Sequence, residues 1–185
     1  MALTMDGLKA LLKTEAIRFF VDPDKPEIML GATGLNGSYQ CIISIELDGE
    51  FVQFRTIHYL SCPSDHAHLT EVLKVLGAEN YNKRLVKFGW DASDGEIVAY
   101  LDILLQDNTI TQEQFGAMMG SFLSLIDKVY LRLKKTIETG NDPGDIKLDI
   151  STMIDALPPE MRELLEELKK KMQSDSDPGE TIDAL

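Results

Sequence analysis

The N-terminal part of the chain begins with helical spacing of apolar residues and then changes to strand spacing. Apolar side chains three and four positions apart over residues 5–20 predict an amphipathic helix with one buried stripe. Pro23 and Pro26 follow. Because proline disfavours helical backbone in the residue before it, we expect the helix to end there and the chain to become extended. Residues 27–32 then predict a short strand, suited to the edge of a sheet.

Two longer strands and a tight turn come next. Residues 39–47 and 51–59 are rich in β-branched and aromatic side chains, and Asp48-Gly49 between them is typical of a two-residue hairpin turn. Because side chains alternate between the two faces of a strand, each strand has an apolar set. We expect these sets to be Cys41, Ile43, Ile45 and Leu47 on the first strand, and Val52, Phe54, Thr56 and His58 on the second.

The middle of the chain predicts a second helix and a second hairpin. Residues 64–76 have helical spacing, and Gly77 is expected to stop or bend this helix. Residues 86–90 and 97–105 predict two strands, because the residues between them are turn formers. The helix is expected to begin at Ser64 or Asp65 as N-cap and to bury Leu69, Val72, Leu73 and Leu76.

A long amphipathic helix is the strongest local prediction. Residues 111–138 keep helical spacing of apolar side chains for more than four turns. Thr111 and Gln114 have the spacing of a capping box, which satisfies two backbone N–H groups at the helix start. Gly140 suits the helix end, because glycine adopts the left-handed backbone that commonly terminates helices.

Residues 141–185 differ in character from what precedes them. They contain 12 acidic and five basic residues, a far higher acid density than residues 1–140. In order, the pattern predicts a linker at 141–144, a strand with Ile146, Leu148 and Ile150 on one edge, a helix at about 159–172, and a disordered end from residue 174. We therefore divide the chain into an α+β domain at 1–140 and an acidic C-terminal arm at 141–185.

Composition and charge narrow the function classes. With a net charge of −13, the chain is a poor nucleic-acid binder, because phosphate contacts need clustered Lys and Arg. No apolar run approaches the roughly 20 residues that cross a membrane, and no signal-peptide pattern opens the chain, so we expect a cytoplasmic protein. Cys41 and Cys62 are expected to be reduced, buried thiols. No catalytic constellation is evident, and we expect neither an enzyme nor a cofactor.

The order of elements over residues 5–138 is helix, three strands, helix, two strands, helix. The most telling positions are Asn80-Tyr81-Asn82, Phe88-Gly89-Trp90-Asp91, Asp94-Gly95-Glu96, Asp107 and Thr109-Ile110-Thr111. In these features the chain resembles the YbjN-like family, whose fold is that of the type III secretion chaperones. The resemblance implies an antiparallel five-stranded sheet with helices packed on it. It also implies a bacterial, non-enzymatic protein that binds protein segments, with a homodimer as an option, and some members of the family are labelled as sensory transduction regulators.

The candidate binding residues lie on strands and on the arm. Phe51, Arg55, Ile57, Trp90 and Tyr100 are expected to be exposed or half-exposed strand positions that contact a partner protein. Trp90, the only tryptophan, is the expected anchor, because large aromatic side chains carry much of the energy of protein interfaces. The alternating arm segment with Ile146, Leu148 and Ile150 either adds to a partner's sheet edge or covers an edge of its own domain.

Two alternatives to a partner-binding module stay open at this point. One is a self-assembling, dimeric structural protein whose arm exchanges between subunits. The other is a metal protein that uses Cys62, His66 and His68, although their spacing is not that of standard zinc sites and the two imidazoles should point to different sides of a helix start. The glycine-rich stretch from Gly31 to Gly37 lacks the Lys-Ser/Thr ending of a phosphate loop, so we interpret it as a strand connection.

Overall fold

The structure is a computed structural model that describes residues 3–23, 25–105, 109–145, 161–164 and 167. The chain divides into two units, Met1–Ile146 and Lys147–Leu185. In the second unit, residues 161–164 and 167 are helical, within the helix predicted at 159–172. The predicted strand with Ile146, Leu148 and Ile150 and the end from residue 174 lie outside the described residues. The domain boundary at 140/141 stays a prediction.

The first unit consists of three helices and seven strands in its described part. In chain order the elements are α1 (Met5–Thr14), β1 (Phe20–Val21), β2 (Glu27–Thr33), β3 (Ser38–Glu46), β4 (Phe51–Ile57), β5 (Leu60–Ser61), α2 (Leu69–Asn82), β6 (Lys87–Trp90), β7 (Glu96–Leu104) and α3 (Gln112–Thr139). All strand pairs are antiparallel, in the order β1-β2-β3-β4-β7-β5, and β6 also pairs with β7. The predicted α+β class with an antiparallel sheet is confirmed, and the two-residue strands β1 and β5 are added to the predicted five.

One face of the sheet packs against the helices and forms the core. Phe54 in the centre of β4 contacts Phe115 and Phe122 of α3, with ring centroids 5.7 and 5.9 Å apart. Burying one such side chain stabilises a fold by about 1.5–3 kcal/mol. The buried strand residues on this inner face include Ile28, Leu30, Cys41, Ile43, Val52, Thr56, Phe88, Ile97, Ala99 and Leu101, and the helices contribute Leu8, Leu12, Val72, Val75, Leu76, Met119, Ile126, Val129 and Leu133.

Both predicted ends of the long helix are confirmed. The Thr111 side chain accepts a hydrogen bond from the Gln114 backbone N–H, and the Gln114 side chain accepts one from the Thr111 N–H. At the other end Gly140 has a φ of 71°, the left-handed conformation that glycine adopts without steric cost. Local signals were sufficient here because both caps are made within a few residues of the helix.

The first helix is shorter than predicted, and a capping motif without glycine is the reason. α1 ends at Thr14, where the Ile17 N–H donates to Leu12 O and the Ala16 N–H donates to Lys13 O. This is a Schellman motif, and Ala16 occupies its left-handed position with a φ of 55°. Because glycine usually fills that position, the sequence carries no visible stop signal. The residues that were expected to finish the helix instead lead into β1.

The second helix also differs from its prediction. Residues 63–68 form turns, the N-cap is His68, and α2 continues through Gly77 to Asn82. The predicted N-caps Ser64 and Asp65 therefore precede the helix. The buried face includes Val75 and Glu79, whereas Leu73 is 39% exposed.

Positive backbone angles alter the first hairpin at both ends of β4. Asp48 and Gly49 have positive φ, and the Glu50 N–H donates to Leu47 O at 3.1 Å, so these two residues form a tight turn as predicted. Leu47 also has positive φ and is exposed instead of inward-facing. His58 has a φ of 51°, which interrupts the alternation after Ile57. As a result Tyr59 turns into the core, whereas His58, expected inside, is exposed.

Asp127 of α3 holds the loop between β2 and β3. Its carboxylate accepts hydrogen bonds from the backbone N–H groups of Leu35 and Asn36 at 3.0 and 2.9 Å, and from the Tyr39 hydroxyl at 2.7 Å. A Cβ atom at Gly34 would overlap this carboxylate, so only glycine fits there. The Tyr39 pKa is raised by burial and by the neighbouring Asp127. The glycine-rich stretch thus holds an internal carboxylate, which agrees with its interpretation as a strand connection.

A second polar network joins α2, α3 and the segment after α3. Arg132 donates to both carboxylate oxygens of Asp142, at 2.7 and 2.6 Å, and to the buried carboxylate of Glu79. The Arg132 pKa is raised and the Asp142 pKa is lowered, chiefly by the hydrogen bonds between them. Charge-assisted, two-pronged pairs of this kind fix geometry as well as adding energy. The network therefore positions residues 141–145 beside the two helices.

We expect Asp127→Ala to lower the free energy of unfolding by about 1–3 kcal/mol, because it leaves two backbone N–H groups and a buried hydroxyl without their acceptor. Urea unfolding followed by circular dichroism measures the change. Asp102→Ala is the matched control, since Asp102 accepts one hydrogen bond, from Gln53, at an exposed position. Equal losses in the two variants would contradict the role assigned to Asp127.

We expect Asp142→Asn to destabilise the protein near neutral pH but much less in acid. The Asp142 pKa is lowered on folding, so its contribution is present above the unfolded-state pKa and disappears as pH falls through the folded-state pKa. Because Asp142 is 39% exposed, solvent screening keeps the effect near or below about 1 kcal/mol. Urea unfolding at about pH 6 and about pH 3 tests this expectation, and an identical difference between variant and wild type at both values would contradict it.

Candidate functional site

The candidate site is the face of the sheet opposite the helices, here called the outer face. One row of cross-strand partners runs across six strands, and all of its side chains are half-buried or exposed. The row consists of Phe20, Met29, Ile42, Arg55, Tyr100 and Lys87. Neighbouring rows add Ile57, Val98, and the pair Phe51 and Leu104. None of the apolar members belongs to the core cluster or packs against it, so the outer face is an apolar surface without a covering helix from α1–α3.

A pocket opens in the outer face beside β1. Its volume is about 410 Å³, and its lining comprises Arg18, Phe19, Phe20, Met29, Leu30, Gly31, Gln40, Cys41 and Ile57. The floor is open because Gly31 has no side chain, and a Cβ built there would meet nothing within 4 Å. The side chains of Leu30 and Cys41 are buried on the inner face, so the pocket meets the backbone of these two residues. Apart from the Arg18 guanidinium and the Gln40 amide, the other lining side chains are apolar. The pocket has the size and chemistry to receive one large apolar side chain, with two polar groups at hand to orient it.

The edge of the sheet next to this pocket is only partly covered. β1 pairs with residues 28 and 29 of β2, whereas residues 30–33 of β2 pair only with β3 within the described part of the chain. An unpaired strand edge offers backbone N–H and C=O groups to an added strand. Leu30 and Gly31 belong both to this edge and to the pocket lining, so an extended segment could use both at once.

Arg55 is held in place at the centre of the outer face. Its guanidinium lies 3.2 Å from Glu96 Oε2, and the other oxygen of Glu96 accepts the His58 backbone N–H at 3.0 Å. This pairing fixes the backbone where β4 ends. It leaves Arg55 45% exposed, with its charge partly compensated, and the arrangement is suited to orienting a partner rather than to proton transfer.

Four of the five predicted strand residues lie together on the outer face. Arg55 and Tyr100 are direct cross-strand partners, and Ile57 lines the pocket. Phe51 lies four residues before Arg55 on β4, so its side chain is on the same face. Trp90 does not join them. It pairs with the fully buried Ile97 and packs against the core, and its indole N–H donates to Cys62 O at 2.8 Å. Trp90 is half-buried and faces the inner side of the sheet, and its role as a partner anchor stays a prediction.

The residues that sequence reasoning missed are those around the pocket. Arg18 and Phe20 were assigned to the end of a helix, and Met29 and Gly31 were treated as part of an ordinary short strand. A signal was present in Phe19-Phe20-Val21, because aromatic and β-branched residues before a proline favour extended backbone. Phe20 is 62% exposed, an unusual position for phenylalanine.

The other sequence candidates do not assemble into a site. Cys62 is fully buried, whereas the rings of His66 and His68 contact each other edge to face at 5.6 Å, contrary to the expectation that they point to different sides. They meet because residues 63–68 form turns rather than a helix. Within the described ranges, no three His, Cys, Asp or Glu residues converge to hold a metal ion. In the β6–β7 turn, Asp91 accepts two hydrogen bonds from Ser93, which lower its pKa.

Comparison with known proteins agrees with this fold. The model of the YbjN family, described as "Putative bacterial sensory transduction regulator", matches residues 4–135. Because the match spans more than half of the chain, the protein belongs to the YbjN family. The resemblance stated from the sequence is confirmed. A search of curated proteins gave no match, and none of the described helices is long and apolar enough to cross a membrane.

Several solved structures, among them the following three, are similar to this chain. The crystal structure of YbjN from E. coli matches with 18% sequence identity and a TM-score of 0.56, over 71% of this chain and 91% of that one. The HopA1–SchA chaperone–effector complex matches with 15% identity, a TM-score of 0.44, and coverage of 64% and 86%. The ExsC–ExsE complex matches with 14% identity, a TM-score of 0.49, and coverage of 72% and 97%. The YbjN match shows a common fold.

We expect both thiols to be unreactive in the folded protein. Burial raises the pKa of Cys41 to about 12 and also raises that of Cys62, so neither forms thiolate readily near pH 8. Ellman's reagent should label neither cysteine in native buffer and both in concentrated guanidinium chloride. Rapid labelling of one cysteine before unfolding would contradict this expectation and show that the fold opens around that residue.

Proposed function

We propose that the protein is a non-enzymatic binding module of a regulatory or chaperone-like kind, and that the outer face of its sheet holds a segment of a partner protein. The observation that supports this most is the row from Phe20 to Lys87, which runs across six strands and carries apolar or aromatic side chains on four of them, none of which belongs to the core. Continuous exposed apolar surface of this kind commonly marks interaction sites, because leaving it in water is unfavourable.

The geometry favours an extended partner segment. The uncovered part of the β2 edge offers main-chain hydrogen bonds, and the pocket beside it receives a large apolar side chain. In this mode backbone pairing supplies affinity, whereas side-chain pockets supply specificity. Arg18, Gln40 and Arg55 surround the apolar surface and select among segments by their polar groups. Two unpaired, buried cysteines suit a reducing compartment, so we place the protein in the bacterial cytoplasm.

Partner retention tests this proposal directly. Tagged wild-type protein and the variants Phe20→Glu and Ile57→Glu would be purified gently from the native host and measured by native mass spectrometry. We expect a protein partner on the wild type and a loss of about tenfold or more on both variants, because a charge in the pocket must be desolvated by the bound segment.

The matched control is Leu73→Glu, which makes the same kind of change at an exposed position of α2. It should retain the partner as the wild type does, and thermal melting should show that all variants are folded. Retention of the same partner by every form would overturn the assignment of the outer face. A partner-free homodimer that dissociates only in the outer-face variants would replace the proposal with the self-assembly alternative.

A further inference from the structure

A second groove lies away from the outer face, between the connection from α2 to β6 and the middle of α3. Its volume is about 510 Å³. On the α3 side, Ser121, Ser124, Leu125 and Lys128 are spaced three, four and seven residues apart, so they form one stripe along the helix. Seven residues of helix span about 10 Å, which is the length of roughly three extended residues. The groove can therefore hold a short peptide segment along α3.

The charge of this groove is opposite to that of the protein as a whole. Three of its nine lining residues are Lys83, Arg84 and Lys128, and none is acidic, whereas the chain carries a net charge of −13. Clustered charge of one sign concentrates ligands of the other sign and speeds their association. A site of this kind on an acidic protein selects a partner that the remaining surface would repel.

The cations of the groove are only partly neutralised. Lys83 lies 3.8 Å from Glu79, whose other carboxylate oxygen is engaged by Arg132. Lys128 lies 3.6 Å from Asp145, and both of these side chains are at least half exposed. Within the described part of the chain Arg84 makes no ion pair, and it is exposed. The Lys128–Asp145 pair is long and exposed and contributes little stability, so Lys128 and Arg84 can turn to a bound anion at little cost. Lys83 stays beside the buried Glu79 carboxylate and adds its positive charge from there.

The connection from α2 to β6, which carries Lys83 and Arg84, is held in position by hydrogen bonds within the protein. The Lys87 ammonium group donates to the backbone carbonyls of Asn80 and Lys83, at 2.7 and 2.6 Å. The Asn80 side chain donates to Phe88 O and accepts from the Phe88 N–H, both at 2.8 Å. These bonds join the end of α2 to β6. Because the loop is held in this way, Lys83 and Arg84 are presented without the entropic cost of ordering it on binding.

The floor of the groove identifies the kind of anion. Leu85, Val86 and Leu125 make it apolar, and Leu85 is 57% exposed although it is leucine. A phosphate ion or a similarly small, fully hydrated anion would leave this floor uncovered. A peptide segment with carboxylates beside a large apolar side chain would satisfy the cations and the floor together. We propose that this groove binds a short acidic peptide segment carrying such a side chain.

Fluorescence anisotropy with synthetic peptides tests the proposal on the full-length protein. The probe is a labelled peptide, Asp-Glu-Leu-Phe-Glu-Asp. Two comparison peptides each lack one feature of the probe. Asn-Gln-Leu-Phe-Gln-Asn lacks the carboxylates, and Asp-Glu-Ser-Ser-Glu-Asp lacks the large apolar side chains. At low ionic strength we expect the first peptide to bind and each of the others to bind at least about tenfold more weakly, since each lacks one of the two complementary features.

Matched variants locate the binding. Arg84→Gln combined with Lys128→Gln should weaken the probe about tenfold, and Ser124→Trp, which fills the groove without a charge change, should weaken it similarly. Lys134→Gln combined with Lys135→Gln removes the same charge from exposed α3 positions outside the groove and should leave binding unchanged. Phe20→Glu should also leave it unchanged, which separates this groove from the outer face.

Four results would overturn the proposal. The first is failure of the wild type to bind the probe at millimolar concentration. The second is equal weakening by the groove variants and by the Lys134/Lys135 control, which would indicate general charge attraction. The third is complete displacement of the probe by inorganic phosphate at equal concentration, which would indicate a small-anion site. The fourth is loss of binding in Phe20→Glu alone, which would assign the peptide to the outer face instead.

Discussion

The packing of α3 on the inner face of the sheet is the interaction on which the rest of the structure depends. Phe115 and Phe122 meet Phe54 in the centre of β4, so one helix covers the middle of the sheet. Two hydrogen bonds from buried or partly buried tyrosines fix the position of the helix: Tyr59 donates to Ile126 O at 2.6 Å and Tyr39 donates to Asp127. Apolar burial supplies the energy, and these directional bonds select one placement of the helix.

This one-sided packing explains why the opposite face is available. Helices α1–α3 all contribute to the same core, so none of these three helices covers the outer face. Evenly alternating strands in such a sheet would carry polar residues outward. Here Met29, Ile42 and Ile57 stand outward instead, and Gly31 leaves a gap among them. Exposing these apolar side chains to water is unfavourable, and a bound partner would remove that cost by covering them.

Each of the two polar networks on α3 also positions a surface. Asp127 fixes the loop between β2 and β3, at the end of the sheet where the pocket opens. Arg132, one turn further along, ties α2 to the segment after α3 through Glu79 and Asp142. Replacing one partner of such a buried pair leaves the other charge unsatisfied. The long helix therefore acts as a common frame for the outer-face pocket and for the basic groove along its own exposed side.

The sequence by itself determined the elements whose signals are local: the capping box at Thr111, the stop at Gly140, both hairpins, and the alternation that placed Arg55 and Ile57 on one face of their strand. Tertiary structure decided what depends on distant contacts or unusual backbone. Ala16 ends α1 without glycine, His58 reverses the alternation so that Tyr59 enters the core, and Trp90 turns inward to Cys62 O. Phe20 joins the outer face only because β1 pairs with β2. Periodicity shows which residues of one strand or helix share a face. Which strands pair and which faces pack together is decided by contacts between distant residues, and a single sequence does not display these.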